Sequence, residues 1–394
     1  MAPWPAGGAG RYVLLYVALF LGWGVLSPFL PAVLEGQGAS PEEIGLILGG
    51  GIAVRLVATP LVGAVADRRA APRACLFACL LLAALAALGY GAAAGFGALL
   101  LVGLLQHGAT GPVGPLPDAL AVRAAAAPGL RLDYGLLRGI GSAAFVAGTA
   151  LAGQAVAAAA DLRVVLWLHA GCFLLAALAT LALPVPPAAP APRARRGAFR
   201  PLLALPAFRL VLLATALVSG SHAVATGYAT IRWREAGIGA ETIGLLWSVS
   251  VASEILVFAW IGPRLLARLG PGALIGLAAA AGVLRWSVMA LTAAVPAMVL
   301  AQPLHGMTFA AQHLAAMAVI GRSVPPALAA SAQALYATLG VGLAGAVATL
   351  ASGLLYGRFG AGAFWAMALL CLAALPVAQA IRRANAETSR RLPV

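Results

Sequence analysis

The sequence predicts an all-α membrane protein with twelve transmembrane helices in two pseudo-symmetric six-helix bundles. Three observations carry this prediction. Hydrophobic residues make up 62% of the 394 residues and charged residues only 9%, a more apolar balance than a soluble core needs. Apolar stretches recur along the chain, each long enough to cross about 30 Å of hydrocarbon. The two halves of the chain also repeat, with a Pro/Arg-rich segment between them.

Twelve apolar stretches are predicted to span the membrane. The first contains Gly24 and Pro28, which interrupt a helix, and we expect this interruption to line a cavity because freed carbonyls are tolerated there. The spans cover, in order, residues 12–34, 43–66, 73–93, 97–122, 134–158, 163–183, 208–231, 241–262, 272–292, 296–319, 328–355 and 362–381.

The arginines predict the orientation in the membrane. All 25 basic residues are arginines, which indicates a GC-rich bacterial genome. If the N-terminus is cytoplasmic, eighteen of the arginines lie in cytoplasmic segments, four in outer loops and three within spans. Positive residues favour the cytoplasmic side, so both termini are expected there, in a bacterial inner membrane. This placement explains the net charge of +14 without a nucleic-acid partner. The four cysteines lie in spans, and their spacing predicts neither a metal site nor a disulfide framework.

The chain divides into two halves by sequence. The predicted domains are an N-terminal six-helix bundle at 1–183, a cytoplasmic linker at 184–207 and a C-terminal six-helix bundle at 208–394. Residues 38–46 match residues 237–245 at an offset of 199. Because each half has an even number of spans, the repeat is parallel, the architecture in which two bundles rock about a midplane site.

Two opposite charges are predicted at equal depth on consecutive helices. Asp118 precedes its loop by about five residues and Arg138 follows the same loop by about six, so both lie roughly 8–9 Å inside the membrane. We therefore expect these side chains to meet. A charge in hydrocarbon is expensive, so the pair is either a structural salt bridge or a substrate or proton site.

The other ionisable residues inside the spans predict an anionic substrate. Glu254 and Arg285 lie near mid-membrane, and His305 enters from the outer side to a similar depth. The spans contain three arginines, Arg55, Arg138 and Arg285, but only two carboxylates, Asp118 and Glu254. One surplus positive charge remains, which suits a monoanion such as a carboxylate. Glu254 and Asp118 are the predicted proton carriers, tuned by His305. The aromatic residues Trp23, Trp247 and Tyr336 either line the cavity or belong to the core.

The loop between the second and third spans predicts a conformational latch. It reads Gly63-Ala64-Val65-Ala66-Asp67-Arg68-Arg69-Ala70-Ala71-Pro72-Arg73 and resembles the Gly-x-x-x-Asp-Arg signature of the major facilitator superfamily. Asp67 at a helix end can pair with an arginine or with another helix N-terminus, so Gly63, Asp67, Arg68 and Arg73 are the predicted latch residues. Leu266 replaces the aspartate in the second half, so the latch is asymmetric.

Further motifs make the chain resemble the phenylpropionate permease group of that superfamily, which is related to the lactose permease type of proton symporter. They are Asp133-Tyr134-Gly135-x-x-Arg138-x-x-Gly141-Ser142, Trp247-Ser248-x-x-x-x-x-Glu254, Gly282-Val283-Leu284-Arg285-Trp286 and Leu304-His305-Gly306-x-Thr308-Phe309-x-x-x-His313-Leu314-Ala315-Ala316-Met317. The resemblance implies that Asp118, Arg138 and Glu254 bind substrate and that Arg285 and His305 work in binding or proton coupling. Thr308 stands where the related permease has its proton-carrying glutamate.

These observations predict a monomeric secondary transporter, not an enzyme, without a cofactor or metal. Its partners are the lipid bilayer, a small-molecule substrate and protons, and its predicted activity is proton-coupled uptake of a small, aromatic organic acid by alternating access. The alternative on the same fold is a symporter of a neutral sugar or nucleoside, or a drug efflux carrier. No nucleophile–base set, metal-ligand spacing or phosphate-binding loop indicates an enzyme.

Overall fold

The computed structural model describes residues 8–127, 132–184 and 199–391, with side chains up to residue 384. These residues form helices joined by short turns. The α-helices are α1 Gly8–Leu26, α2 Leu30–Gly36, α3 Pro41–Arg68, α4 Pro72–Ala92, α5 Gly95–Thr110, α6 Pro115–Ala125, α7 Tyr134–Ala159, α8 Val164–Leu181, α9 Phe199–Ala204, α10 Pro206–Gly220, α11 Ala223–Glu235, α12 Ala240–Leu256, α13 Gly262–Leu269, α14 Pro271–Leu291, α15 Val295–Ala301, α16 Leu304–Gly306, α17 Gln312–Ser323, α18 Ala329–Leu335, α19 Ala344–Phe359 and α20 Ala363–Arg391. Wider π-helical turns join some of them, at Val257–Ile261, Met307–Ala311 and Tyr336–Leu343.

The helices account for all the predicted spans. In the described part of the chain, ten helical stretches are long and apolar enough to cross a membrane. The last of them, Pro326–Ala384, is 59 residues long and contains the predicted eleventh and twelfth spans. The predicted tenth span corresponds to α15, α16 and α17 and is not among the ten. The predicted all-α membrane fold is therefore confirmed.

Every third predicted span is broken. The first span breaks between α1 and α2, the fourth between α5 and α6, the seventh between α10 and α11, and the tenth between α15 and α16. Proline or glycine lies at or beside each break, and both disfavour a continuous helix. Discontinuous membrane helices commonly form binding sites because their freed backbone groups need a cavity or a polar neighbour.

Local sequence explains where α3 begins. The Ser40 hydroxyl accepts a hydrogen bond from the Glu43 backbone N–H at 3.3 Å, and the Glu43 carboxylate accepts one from the Ser40 N–H at 2.9 Å. This reciprocal cap, with Pro41 at the first helical position, satisfies donors that a helix start leaves open. The motif at the beginning of the internal repeat is therefore a helix start.

The described residues group into two compact units. The first comprises 8–184 and 237–248, and the second comprises 199–236 and 249–391. Most of the predicted linker, 185–198, lies outside the described residues, so the predicted domain boundaries stay a prediction. The stretch 237–248, which holds the start of α12, groups with the first unit.

In the first unit, α1 packs closely on α7. A Cβ atom on Gly148 would lie 2.5 Å from the Leu21 carbonyl oxygen, so only glycine lets the two backbones approach this far. At the end of α8, three side chains bind backbone carbonyls: Arg11 binds Ala182, Arg73 binds Leu183 and Tyr12 binds Pro184. Cationic donors at a helix C-terminus satisfy its open acceptors and suit its dipole.

In the second unit, the core packs around α14 and α10. Trp286 and Arg285 of α14 are among its largest fully buried side chains. The short α16 lies against α12, because a Cβ atom on Gly306 would be 2.6 Å from the Ser253 carbonyl oxygen. A buried guanidinium needs compensating hydrogen bonds, so the surroundings of Arg285 are polar.

Candidate functional site

The structure brings Asp118 and Arg138 together, as their equal depth predicted. Arg138 Nη1 lies 3.4 Å from Asp118 Oδ1 and 3.5 Å from Oδ2. These distances are long for a charge-assisted hydrogen bond, which is normally 2.7–2.9 Å. The two side chains are 43% and 32% exposed, so the pair is open to small molecules.

Asp118 has a second and closer partner. The hydroxyl of Tyr16 donates a hydrogen bond to Asp118 Oδ1 at 2.6 Å, and Tyr16 itself is fully buried on α1. The carboxylate is therefore held by a fixed donor on one side and by a loose guanidinium on the other. Sequence reasoning missed Tyr16, although it lies seven residues, about two helical turns, before Trp23 and so shares its face.

The Arg138 guanidinium lies against the first of several packed aromatic rings. Its Cζ atom lies 5.1 Å from the ring centre of Phe20, within cation–π range. Phe20 stacks on Tyr16 with ring centres 5.8 Å apart and meets Trp23 edge to face at 5.3 Å. Trp23 also packs against Phe173 at 6.3 Å. This part of the first unit therefore presents a cation, a carboxylate and a row of aromatic faces.

Glu254, Arg285 and His305 form a second group, within the second unit. Nδ1 of His305 is 2.8 Å from Arg285 Nη1, and Nε2 is 2.7 Å from Glu254 Oε1. A guanidinium only donates, so Nδ1 must accept and the ring proton must lie on Nε2, where it points to the carboxylate. His305 is therefore neutral in this arrangement, and it links the arginine to the acid.

Amide and hydroxyl groups complete the surroundings of Arg285. Gln302 Oε1 accepts from Arg285 Nη2 at 2.9 Å and from the Ser250 hydroxyl at 2.6 Å. Gln302 lies at the break of the tenth span, three residues before His305. In the described part of the chain, Arg285 Nε and Gln302 Nε2 are buried without a hydrogen-bond partner. Sequence reasoning missed Gln302, because glutamine carries no charge that would indicate a partner.

His222 and Thr308 adjoin this group. The Thr308 hydroxyl lies 2.9 Å from His222 Nε2, and His222 Nδ1 lies 3.0 Å from the Val218 carbonyl oxygen. The imidazole rings of His222 and His305 meet edge to face, with centres 5.1 Å apart. Thr308, at the position where the resemblance expects a glutamate, thus has a histidine as its neighbour.

The structure also places the other predicted site residues, which are Tyr336, Trp247 and the latch. Tyr336 is buried in the core of the second unit, with its hydroxyl 3.2 Å from His313 Nδ1. Trp247 is half-buried on α12. Of the predicted latch, Asp67 and Arg68 are exposed at the end of α3, and Arg73 binds the Leu183 carbonyl. Within the described residues Asp67 forms no ion pair, so the latch stays a prediction.

Broken membrane helices that carry paired charges and buried polar groups define a class of protein: a multi-pass membrane transporter for a small molecule. Comparison with known proteins agrees with this class. A family model described as "MFS_1 like family" matches residues 10–367. The chain belongs to this family of the major facilitator superfamily.

Two curated relatives are similar over nearly their whole length. A probable 3-phenylpropionic acid transporter of Escherichia coli is 34% identical over 365 residues, covering 91% of this chain and 94% of the relative. A maltose permease of Geobacillus stearothermophilus is 30% identical over 373 residues, covering 93% of each. The predicted resemblance to the phenylpropionate permease group is confirmed, and these relatives are transporters rather than enzymes.

Solved structures share the fold. The nucleoside transporter NupG superposes with a TM-score of 0.81 at 18% identity, covering 95% of this chain and 98% of that one. A bacterial homologue of the human lysosomal transporter Spinster, in an inward-facing and occupied conformation, gives a TM-score of 0.72 at 16% identity, covering 97% and 98%. At these identities the likeness concerns the fold alone.

Proposed function

We propose that this protein imports a small aromatic organic acid together with a proton, by alternating access. It would act as a monomer in a bacterial inner membrane, with both termini in the cytoplasm. One observation carries the proposal: the Arg138 guanidinium, loosely paired with Asp118, lies over the ring of Phe20. A ligand with a carboxylate and an aromatic ring matches these two features. The similarity to a probable 3-phenylpropionic acid transporter supports this substrate class.

Substrate binding at Arg138 would replace one carboxylate by another. The substrate carboxylate can accept two hydrogen bonds from the planar guanidinium, whereas Asp118 contacts a single nitrogen at 3.4 and 3.5 Å. Asp118 would keep its hydrogen bond from Tyr16 while Arg138 turns to the substrate. The exchange therefore leaves no charged group without a partner.

Proton coupling would rest on Glu254, with Asp118 as the other predicted carrier. Glu254 contacts His305 rather than Arg285 directly. His305 cannot take a proton while Arg285 donates to its Nδ1, because two N–H donors would then face each other with no acceptor between them. The Glu254 carboxylate is the group of this cluster that can accept a proton without breaking that contact. Protonation would remove the negative charge of Glu254 that balances Arg285. The arginine would then attract an anionic substrate more strongly, which links protonation to anion binding.

The test is uptake into proteoliposomes with an imposed pH gradient. Labelled 3-phenylpropionate should accumulate when the outside is acidic, and a protonophore should abolish the accumulation. Arg138→Gln should reduce acid affinity by about tenfold or more, since hydrogen bonds to charged groups contribute about 1.5–3 kcal/mol. Arg138→Lys is the matched variant, which keeps the charge but loses the planar fork.

The second candidate is transport of a neutral sugar or nucleoside. The 30% identity to a maltose permease favours it, because the pair of Asp118 and Arg138 can also bind hydroxyl groups. Counterflow separates the two candidates: unlabelled 3-phenylpropionate, maltose and uridine are loaded in turn against the labelled forms. Exchange of maltose or uridine without exchange of the acid would refute the proposed substrate class.

A further inference from the structure

The surplus positive charge predicted inside the membrane can be located. Arg138 pairs with Asp118, and Arg285 is linked to Glu254 through His305. Arg55, in the middle of α3, has no such partner among the described residues. Its one hydrogen bond there is long, 3.4 Å from Nη2 to the Thr110 hydroxyl. The uncompensated charge is therefore that of Arg55.

Arg55 lies on the inner face of α3. At about 100° per residue, Arg55 is within about 20° of the buried Leu48, which is 8% exposed, and about 180° from Leu46, which is 47% exposed. The exposed apolar residues therefore mark the lipid side, and Arg55 points away from it. Arg55 is nevertheless exposed. The exposed side chain of Arg55 therefore lies on the face of α3 opposite to the lipid side.

The break between α5 and α6 makes room for this side chain. A Cβ atom on Gly111 would lie 2.7 Å from Arg55 Cγ and 2.6 Å from Thr59 Oγ1, so glycine is needed where the arginine passes. The hydroxyls of Thr59 and Thr110 are thus close to the path of the arginine. The His107 ring packs over Gly51, one turn before Arg55 on the same face. Hydroxyl groups beside an unpaired guanidinium are suitable partners for a carboxylate.

We propose that Arg55 binds a small monocarboxylate at the break between α5 and α6. This anion site is separate from Arg138. Among the described residues of the first unit, no acidic side chain forms an ion pair with this arginine, so an anion from outside the chain supplies the charge. The choice of a carboxylate rests on the proposed function, whereas the position of the unpaired arginine does not.

The test removes the first pair and then asks what remains. The background variant combines Asp118→Asn with Arg138→Gln, so that no lone charge is left there. Purified in detergent, it is titrated with benzoate and with neutral benzamide, and its melting temperature and binding heat are measured. Benzoate should stabilise it and benzamide should not. Adding Arg55→Gln should weaken benzoate binding by about tenfold or more.

Three further variants guard against misfolding as the cause. Arg55→Lys keeps the charge and should keep part of the benzoate response. Gly111→Ala should displace the arginine and weaken benzoate binding, whereas Gly114→Ala, in the same break, meets nothing within 4 Å and should leave it unchanged.

The outcomes separate this proposal from the proposed function. An equal benzoate response with and without Arg55→Gln, or no response in the background variant, would overturn the role of Arg55. Loss of the response with Arg55→Gln supports that role even if 3-phenylpropionate is not transported. Uptake of the acid by the wild type with no Arg55-dependent binding would leave the proposed function standing and remove this inference.

Discussion

Tyr16 is expected to control how readily Arg138 is released to a substrate. Its hydroxyl lies 2.6 Å from Asp118 Oδ1, while Arg138 lies 3.4 Å from the same atom. When the arginine turns to a substrate carboxylate, the tyrosine still satisfies Asp118. In Tyr16→Phe, the same movement leaves Asp118 with no protein donor from either residue, so opening the pair costs more and acid affinity should fall.

The size of this effect follows from the burial of Asp118. An unsatisfied buried acceptor costs about 1–3 kcal/mol. The Asp118 side chain is 32% exposed, so water can replace part of the lost hydrogen bond. The lower end applies, about 1 kcal/mol, which is about a fivefold loss of affinity. Isothermal titration of the purified protein with 3-phenylpropionate measures it directly.

Tyr12 supplies the matched control for this substitution. It is buried on the same helix about one turn earlier, and its hydroxyl binds the Pro184 carbonyl at 2.8 Å rather than Asp118. Tyr12→Phe should lower the melting temperature without changing acid affinity. In an Asp118→Asn background, Tyr16→Phe should have little further effect. Acid binding by Tyr16→Phe as tight as that of the wild type would refute the reasoning.

Three other substitutions test separate parts of the structure. Glu254→Gln should still exchange 3-phenylpropionate in counterflow but fail to accumulate it under a pH gradient; accumulation at the wild-type level would contradict proton carriage by this residue. Gln302→Leu removes the acceptor of Arg285 Nη2 and should destabilise the protein by about 1–3 kcal/mol, seen as a lower melting temperature in detergent. Gly148→Ala places a Cβ atom 2.5 Å from the Leu21 carbonyl and should reduce the yield of folded protein. Gly139→Ala on the same helix meets nothing within 4 Å and is its control; equal yields would refute the close crossing.

Residue type and depth alone predicted the pair of Asp118 and Arg138. Both are rare charges in apolar spans, and helix rise converts their positions into depths, so the meeting of consecutive helices could be expected. The contact of Glu254 with His305 joins helices far apart in the chain. Depth indicated that both lie near mid-membrane, but no local pattern gives the rotation of one helix against another.

The partners that carry no charge were the hardest to foresee. Tyr16, Gln302 and Thr110 look like ordinary residues of apolar helices until a charged neighbour is known. Tyr336 shows the same difficulty for an aromatic residue: the sequence left a cavity-lining role and a core role open, and the structure buries it beside His313. Both cases depend on which face of a helix is turned inward, which weakly amphipathic membrane helices do not reveal.

The broken spans explain why the polar residues lie where they do. A continuous apolar helix satisfies its own backbone and has little use for a polar side chain. A break frees carbonyl and N–H groups, so polar side chains beside it find partners that lipid does not offer. His222 lies at the break of the seventh span and Gln302 at that of the tenth, while Thr110 ends α5 at the break of the fourth. Each of the three contacts a member of the polar or charged groups described above, Thr308, Arg285 and Arg55 respectively. Breaks in every third span therefore give each unit its polar interior, and Arg55, which has no acidic partner among the described residues, reaches one of them.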